Sequence, residues 1–305
     1  MNDPTSISKV VAANKFRNKI FLITGMIATM VGILVLFALF IDLFIQGAPR
    51  MNFKFFFSYP SRFPAEAGIL PAWVGTCLIM LVTALAAVPI GIAAGIYLEE
   101  YAPRNWFSSI IEINITNLAG VPSIIYGLLA LGVFVHLFNF GESILTGGLT
   151  LALLILPMVI MATREAIRAI PQAVREASYA LGATKWQTVR DHVLPYSMGG
   201  ILTGIIIGLS RAIGETAPII TIGALTFVAF LPTPPITAEY PFLSFQWLFD
   251  SFTAMPIQMF NWVSRPQAGF HINAAAAGIV LLAMTLLMNG LAIYIRYTFR
   301  KKIKW

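Results

Sequence analysis

Arg211 and Glu215 are the only charged residues in the stretch 196–230. An ionisable group inside so long an apolar run is costly in a bilayer, and by default it marks a pathway or a buried partner. At about 100° per residue, the two positions lie within roughly 40° of each other on a helix. The spacing therefore predicts an ion pair. A guanidinium offers a planar fork of donors that suits an oxyanion, and a carboxylate beside it would keep the cation partly neutralised, so that a bound anion is not trapped. The same pair could equally close a packed helix interface with no ligand. Gly200, Gly204 and Gly208 recur every four residues on or near this stripe, a spacing that permits close helix packing in membranes. The pair is thus expected to face protein or a water-filled route, not lipid.

Other chemistries are poorly supplied. The single cysteine, Cys77, lies in an apolar run and excludes an intrachain disulfide or a cysteine metal cluster. His136, His192 and His271 are scattered, without HExxH or similar spacing. No GxxxxGK[ST] phosphate loop is present, nor any Gly-Lys pair. The chain is therefore not expected to be an enzyme, to bind a metal or cofactor, or to supply its own ATP hydrolysis.

Composition identifies the elements that must hold the pair. Hydrophobic residues make up 58% of the 305 and charged residues 11%, whereas a soluble domain has about a quarter charged. This is an all-α integral membrane protein. Uncharged runs at 20–41, 67–98, 113–141, 143–163 and 272–295, with the stretch 196–230, give six spans, each able to hold the ~20 apolar residues a crossing needs. As one straight helix 196–230 would be roughly 50 Å long; Gly214 and Pro218 are expected to break or bend it. Two crossings there would send the C-terminal cations to the wrong side. With six, one side holds Lys9, Lys15, Arg17, Lys19, Arg104, Arg164, Arg168, Arg175, Lys185, Arg190, Arg296, Arg300, Lys301, Lys302 and Lys304. The other holds only Arg50, Lys54, Arg62 and Arg265. Both termini are therefore expected in the cytoplasm. The net charge of +7 is topology and requires no nucleic acid.

A polar segment, "VREASYALGATKWQTVRDHVLP" (174–195), interrupts this pattern between spans four and five. Pro171 suits the first turn of a short helix and Gly182 its stop. Thr184 and Gln187 have capping-box spacing for a second helix, in which Trp186, Val189 and Val193 share a face. Pro195 is expected to end the unit at the membrane. Two short helices at a sharp turn, with an apolar knob in a charged surround, would fit a groove on another protein.

Glu176-Ala177-Ser178, three residues, Gly182, nine residues, a slot, one residue and Leu194-Pro195 together resemble the EAA loop of binding-protein-dependent ABC importer permeases. Ser178 stands where a third alanine is usual, and His192 fills a slot that is usually aliphatic. "NLAGVPSIIYGLLALGVF" (117–134), "SRAIGETAPIITIGA" (210–224) and "MPIQMFNWVSRPQ" (255–267) resemble phosphate permeases of the PstA type. The resemblance implies a type I importer architecture in a bacterial plasma (inner) membrane. It implies coupling to ATPase subunits through Glu176, Ala177, Ser178, Gly182, Trp186, Leu194 and Pro195, and a substrate pathway at Arg211 and Glu215. It further implies a homologous second permease (PstC type), two ATP-binding subunits (PstB type) carrying ATP and Mg, and an external phosphate-binding protein (PstS type). Alternatives are a permease for another oxyanion, molybdate or sulfate, or a stand-alone channel or ion-coupled carrier. The last would need coupling charges in several spans, and only one intramembrane pair exists.

The expected organisation is a cytoplasmic segment 1–19, a first span 20–45 and an external loop 46–66. A five-span core 67–296 follows, with the coupling loop 164–195 and an external loop 231–273, and then a basic tail 297–305. Within it, Gly91 and Gly95 are read as packing within the chain, Pro122 as a bend in span three, and Trp247 and Trp262 as interfacial anchors.

Overall fold

The computed structural model describes residues 4–236, 242 and 244–302, with side chains described over 13–298. Every regular element there is helical. The order is α1 (Pro4–Gly47), α2 (Phe53–Phe57), α3 (Leu70–Ile96), α4 (Trp106–Leu118), α5 (Ser123–Ala130), α6 (Ile144–Arg168) and α7 (Gln172–Ala180). There follow α8 (Lys185–Thr188), α9 (Leu194–Gly214), α10 (Ala217–Thr221), α11 (Met255–Val263) and α12 (Ala268–Lys302). Five helical stretches are long and apolar enough to cross a membrane, and α4 with α5 makes a sixth candidate bent by 105°.

Small residues let the spans touch, and the touching pairs give their directions. On α3 and α6, Val82 meets Gly148, Gly91 meets Val159 and Gly95 meets Thr163, so these helices run parallel. The two glycines pack within the chain, as their spacing suggests. On α9, Gly200 and Gly204 meet Ala166 and Ala162, while Gly208 faces Ile155 and Val159. That order is antiparallel to α6. Ser210 bonds Asn289 and Thr203 bonds Arg296, which makes α12 antiparallel to α9. Gly47 abuts Ala275 and Ala276, while Leu43 lies against Gly278, so α1 is antiparallel to α12. Since α3 and α6 share a direction, the bent pair between them must return the chain across. The result is six alternating passages, with the start of α1 and the end of α12 on one face. Arg164, Arg168 and the 172–193 loop mark that face, here termed the basic face. Side chains of Lys9, Arg300, Lys301, Lys302 and Lys304 lie outside the described residues.

The third passage breaks at 119–122. Pro122 cannot donate a helical hydrogen bond and biases Val121 away from helix, and α5 starts beyond it with Pro122 as its N-cap. The Tyr126 hydroxyl donates to the Leu118 carbonyl at 2.7 Å, which caps the end of α4 across the gap. Pro122 thus does more than bend one helix. It divides the passage into two helices that lie almost at right angles.

A large buried apolar cluster forms where α3, α5, α6, α9 and α10 meet, around Ile79, Tyr126, Leu151, Ile155, Ala212 and Ile219. A second cluster lies on the opposite face, with Phe55, Trp262 and Phe270 at its centre. Trp247 and Trp262 are buried in these clusters, so the expected interfacial anchoring is corrected. Trp262 packs against Phe55 and Phe270, aromatic contacts that add to the burial of its large ring. By contrast α1 exposes apolar side chains from Phe21 to Ile45, as befits a helix turned towards lipid or another membrane subunit.

Candidate functional site

The α9 helix runs only to Gly214. Glu215 follows in extended backbone (φ −75°, ψ 130°), and α10 opens with Pro218 in its first turn. Gly214 and Pro218 therefore break the stretch, as their types suggest. The angular argument for the ion pair is corrected, because Glu215 has left the helix. Its side chain still reaches back, and Arg211 Nε lies 3.2 Å from Glu215 Oε1. One turn before Arg211, Gly208 faces Ile155 and Val159, so the guanidinium sits near the level of residue 154 on α6. At 1.5 Å per residue that is roughly 15 Å from the start of α6 at Ile144, near mid-membrane. The neighbours Ala212 and Ile213 are buried with Tyr126 and Ile219. Arg211 itself keeps 39% of its side-chain surface and Glu215 19%. A Cβ on Gly214 would meet nothing within 4 Å. The charge stands at the open edge of the core, where α9 stops.

One packing detail fixes that edge. A methyl group on Gly127 of α5 would overlap Thr221 and Pro218 of α10. The absent side chain lets the broken third passage press directly on the segment that follows Glu215.

The polar loop folds largely as its residue types dictate. Pro171 precedes α7, and Gly182 takes φ +85°, a conformation open to glycine at little cost. The capping box of Thr184 and Gln187 is formed in both directions. Two expectations are corrected. Val189 and Val193 are buried, while Trp186 is 58% exposed and Leu181 89% exposed, so the three residues do not form one outward knob. The exposed apolar tip is Leu181 with Trp186 and Tyr179. Pro195 does not end the unit either, since α8 continues into α9 as a single helical run, Lys185–Gly214. A π-helical turn, Val189–Val193, lies within that run, with Leu194 between it and Pro195. That wider turn accommodates a residue that cannot donate.

Glu176 and Ala177 point outward from α7, whereas Ser178 turns inward and its hydroxyl lies 2.8 Å from that of Thr188. Leu194 and Pro195 are half-buried. Of the residues expected to act together, Glu176, Ala177, Gly182 and Trp186 share the exposed surface of the loop. Ser178, Leu194 and Pro195 serve its inner side. The Arg211–Glu215 pair is a separate site, deeper in the membrane.

Residues 87–304 match the family described as binding-protein-dependent transport system inner membrane components. The chain belongs to this family. It is 35% identical over 215 residues to the probable ABC transporter permease protein YqgI of Bacillus subtilis, covering 70% of this chain and 71% of that one. It is 31% identical over 307 residues to the phosphate transport system permease protein PstA of Yersinia pestis, covering 99% and 97%. A crystal structure of a bacterial alginate ABC transporter contains a chain that superposes with a TM-score of 0.64 at 14% identity, covering 92% of this chain and 94% of that one. At that identity the likeness concerns the fold, a type I importer permease.

Within this permease, sequence reasoning missed the residues that fasten the loop to the spans. Arg175, only 9% exposed, donates from Nε and Nη2 to Glu100 Oε1 at 3.0 and 2.7 Å. It also donates to the carbonyls of Ile170 and Ile167 at the end of α6. The Ile167 carbonyl also accepts from the Ile170 N–H at 3.1 Å, so Arg175 reinforces the turn that closes α6. Lys185 Nζ lies 5.0 Å from the centre of the Tyr101 ring. Glu100 and Tyr101 both belong to a π-helical turn, Tyr97–Tyr101, that closes α3. Its remaining acid, Glu99, takes a bidentate contact from Arg168 at 3.1 and 2.9 Å. The buried Arg164 reaches Glu112 of α4 at 2.6 Å and Glu99 at 3.5 Å. The available signal was the adjacent pair Glu99-Glu100 at the end of a span, with Arg164, Arg168 and Arg175 on the same side.

Proposed function

We propose that this chain is a membrane-spanning permease subunit of an ATP-driven, binding-protein-dependent importer of inorganic phosphate. The observation that carries the reading is the 31% identity to a phosphate permease over 99% of the chain. The site chemistry supports it. Arg211 presents a partly exposed guanidinium near mid-membrane with one acidic partner, enough to offset an oxyanion and weak enough to release it. Glu215 holds the cation between passages.

Coupling is assigned to the loop. Glu176, Ala177, Gly182 and Trp186, with Leu181 at the tip, would meet an ATP-binding subunit, while Ser178, Leu194 and Pro195 keep the loop's shape. ATP and Mg belong to that subunit, and hydrolysis occurs there. The assembly would contain two such subunits (PstB type), a homologous second permease (PstC type) and an external phosphate-binding protein (PstS type). The open edge beside Arg211 and the exposed α1 suit the second permease. The basic face, with both termini, is assigned to the cytoplasm by its excess of Lys and Arg.

The test is radiolabelled phosphate uptake in cells lacking this chain and then supplied with it, with unlabelled sulfate and molybdate as competitors. Uptake that returns and is blocked by phosphate alone supports the reading. Restoration that molybdate or sulfate blocks assigns another oxyanion. No restoration, with the protein in the membrane, overturns phosphate.

A further inference from the structure

Arg175 is one residue from Glu176 of the loop, yet it turns inward and contacts nothing a partner could reach. Its guanidinium gathers Glu100 from the end of α3 and the carbonyls of Ile167 and Ile170 at the close of α6. On the other helix of the loop, Lys185 stands over Tyr101. Both loop helices are thus fastened to the same π-helical turn, Tyr97–Tyr101. The neighbouring acid of that turn, Glu99, binds Arg168 and approaches Arg164, and Arg164 in turn holds Glu112 on α4. The α4 helix leads into the break at 119–122 and on to α5, which Gly127 seats against Pro218 and Thr221 next to Glu215. Glu99 and Glu100 therefore divide the work. One joins the turn to the loop, and the other joins it to the spans.

We propose that the Arg175–Glu100 pair is a positioning link that transmits loop movement into α3, and through Glu99 into α4 and α6, so that transport follows hydrolysis on the partner. It is not part of the surface that touches the partner. The pair suits the task, because a charge-assisted contact with two further backbone acceptors moves as a unit, whereas one apolar contact could slip. The inference rests on the coupling reading of the loop.

The experiment uses the complete transporter, purified with its ATP-binding subunits and reconstituted with the external binding protein. ATP hydrolysis and phosphate transport are measured on the same vesicles. Glu100→Gln keeps the shape and removes the charge. Expected are intact assembly, hydrolysis within about twofold of the parent and transport per ATP reduced about tenfold, towards the lower end of coupling between sites. The reversed pair Arg175→Glu with Glu100→Arg should recover at least part of that ratio. A ratio unchanged from the parent overturns the proposal. So does a proportional loss of transport and hydrolysis, or failure of Glu100→Gln to assemble, since the pair would then serve folding alone. Leu181→Asp and Trp186→Ala, run alongside, separate the two ideas. If they leave association with the ATP-binding subunits intact, the coupling reading itself fails. If they weaken it while Glu100→Gln keeps the parent ratio, only the positioning link fails.

Discussion

Two ion pairs in this permease have similar chemistry and opposite settings. Arg175 with Glu100 is nearly buried, and the guanidinium has two carbonyls as additional acceptors. Arg211 with Glu215 makes one contact of 3.2 Å at the edge of the core, beside open space at Gly214. A charge that is fully occupied by fixed partners holds elements together. A charge near mid-membrane with one partner and exposed surface remains available to something that passes. Burial and partner number, more than residue type, separate the cation held by fixed partners from the one proposed to meet the substrate.

That contrast can be broken by substitution. The largest effect is expected from Arg175→Ala, which strands Glu100 in a buried setting. Removing one partner of such a pair costs about 3–5 kcal/mol, so the variant should unfold at clearly lower temperature in detergent. Arg211→Ala should cost stability only about 0–1 kcal/mol, as for an exposed pair, while uptake at matched membrane level falls about 10- to 100-fold through the lost charged hydrogen bonds to the anion. If the stability ranking came out reversed, the contrast drawn from burial would be wrong.

A steric version of the comparison follows at intermediate size. Gly127→Val should reduce both folded yield and uptake, because the side chain would have to displace α10. A core overpacked in this way typically loses 1–3 kcal/mol. Gly214→Ala should be tolerated in folding, since its Cβ enters open space. Small as well is Ser178→Ala, which leaves the Thr188 hydroxyl without the Ser178 partner. The net worth of one such hydrogen bond is about 1 kcal/mol, readable as a small drop in melting temperature with uptake unchanged.

How much of this was legible in the sequence depends on whether the cause is local. Gly182, Pro171 and the Thr184–Gln187 box act within a few residues, and their types alone define the helix ends. Periodicity and charge placement gave six passages, because lipid imposes those rules on each segment separately. What sequence reasoning missed depends on distant neighbours. The position of Trp262 near the end of an external loop suggests an anchor, and nothing local reveals Phe55 and Phe270 beside it. Val189 and Val193 share a face with Trp186, yet which part of a face is covered depends on the spans it leans against. Pro195 looked like a stop, and the π-helical turn before it removed the need for one. The clamp of Arg175 joins positions 75 residues apart, a distance no motif spans. For Arg211 and Glu215 the contact was foreseeable although the helical geometry behind it was not.

The most direct measurement is phosphate uptake by the Arg211→Ala variant, assembled with its partners and present in the membrane at the parent's level. Uptake is expected to fall at least about tenfold while thermal stability stays within about 1 kcal/mol of the parent. Parental uptake from the same membranes would contradict it, and would make the pair at the end of α9 a packing feature only.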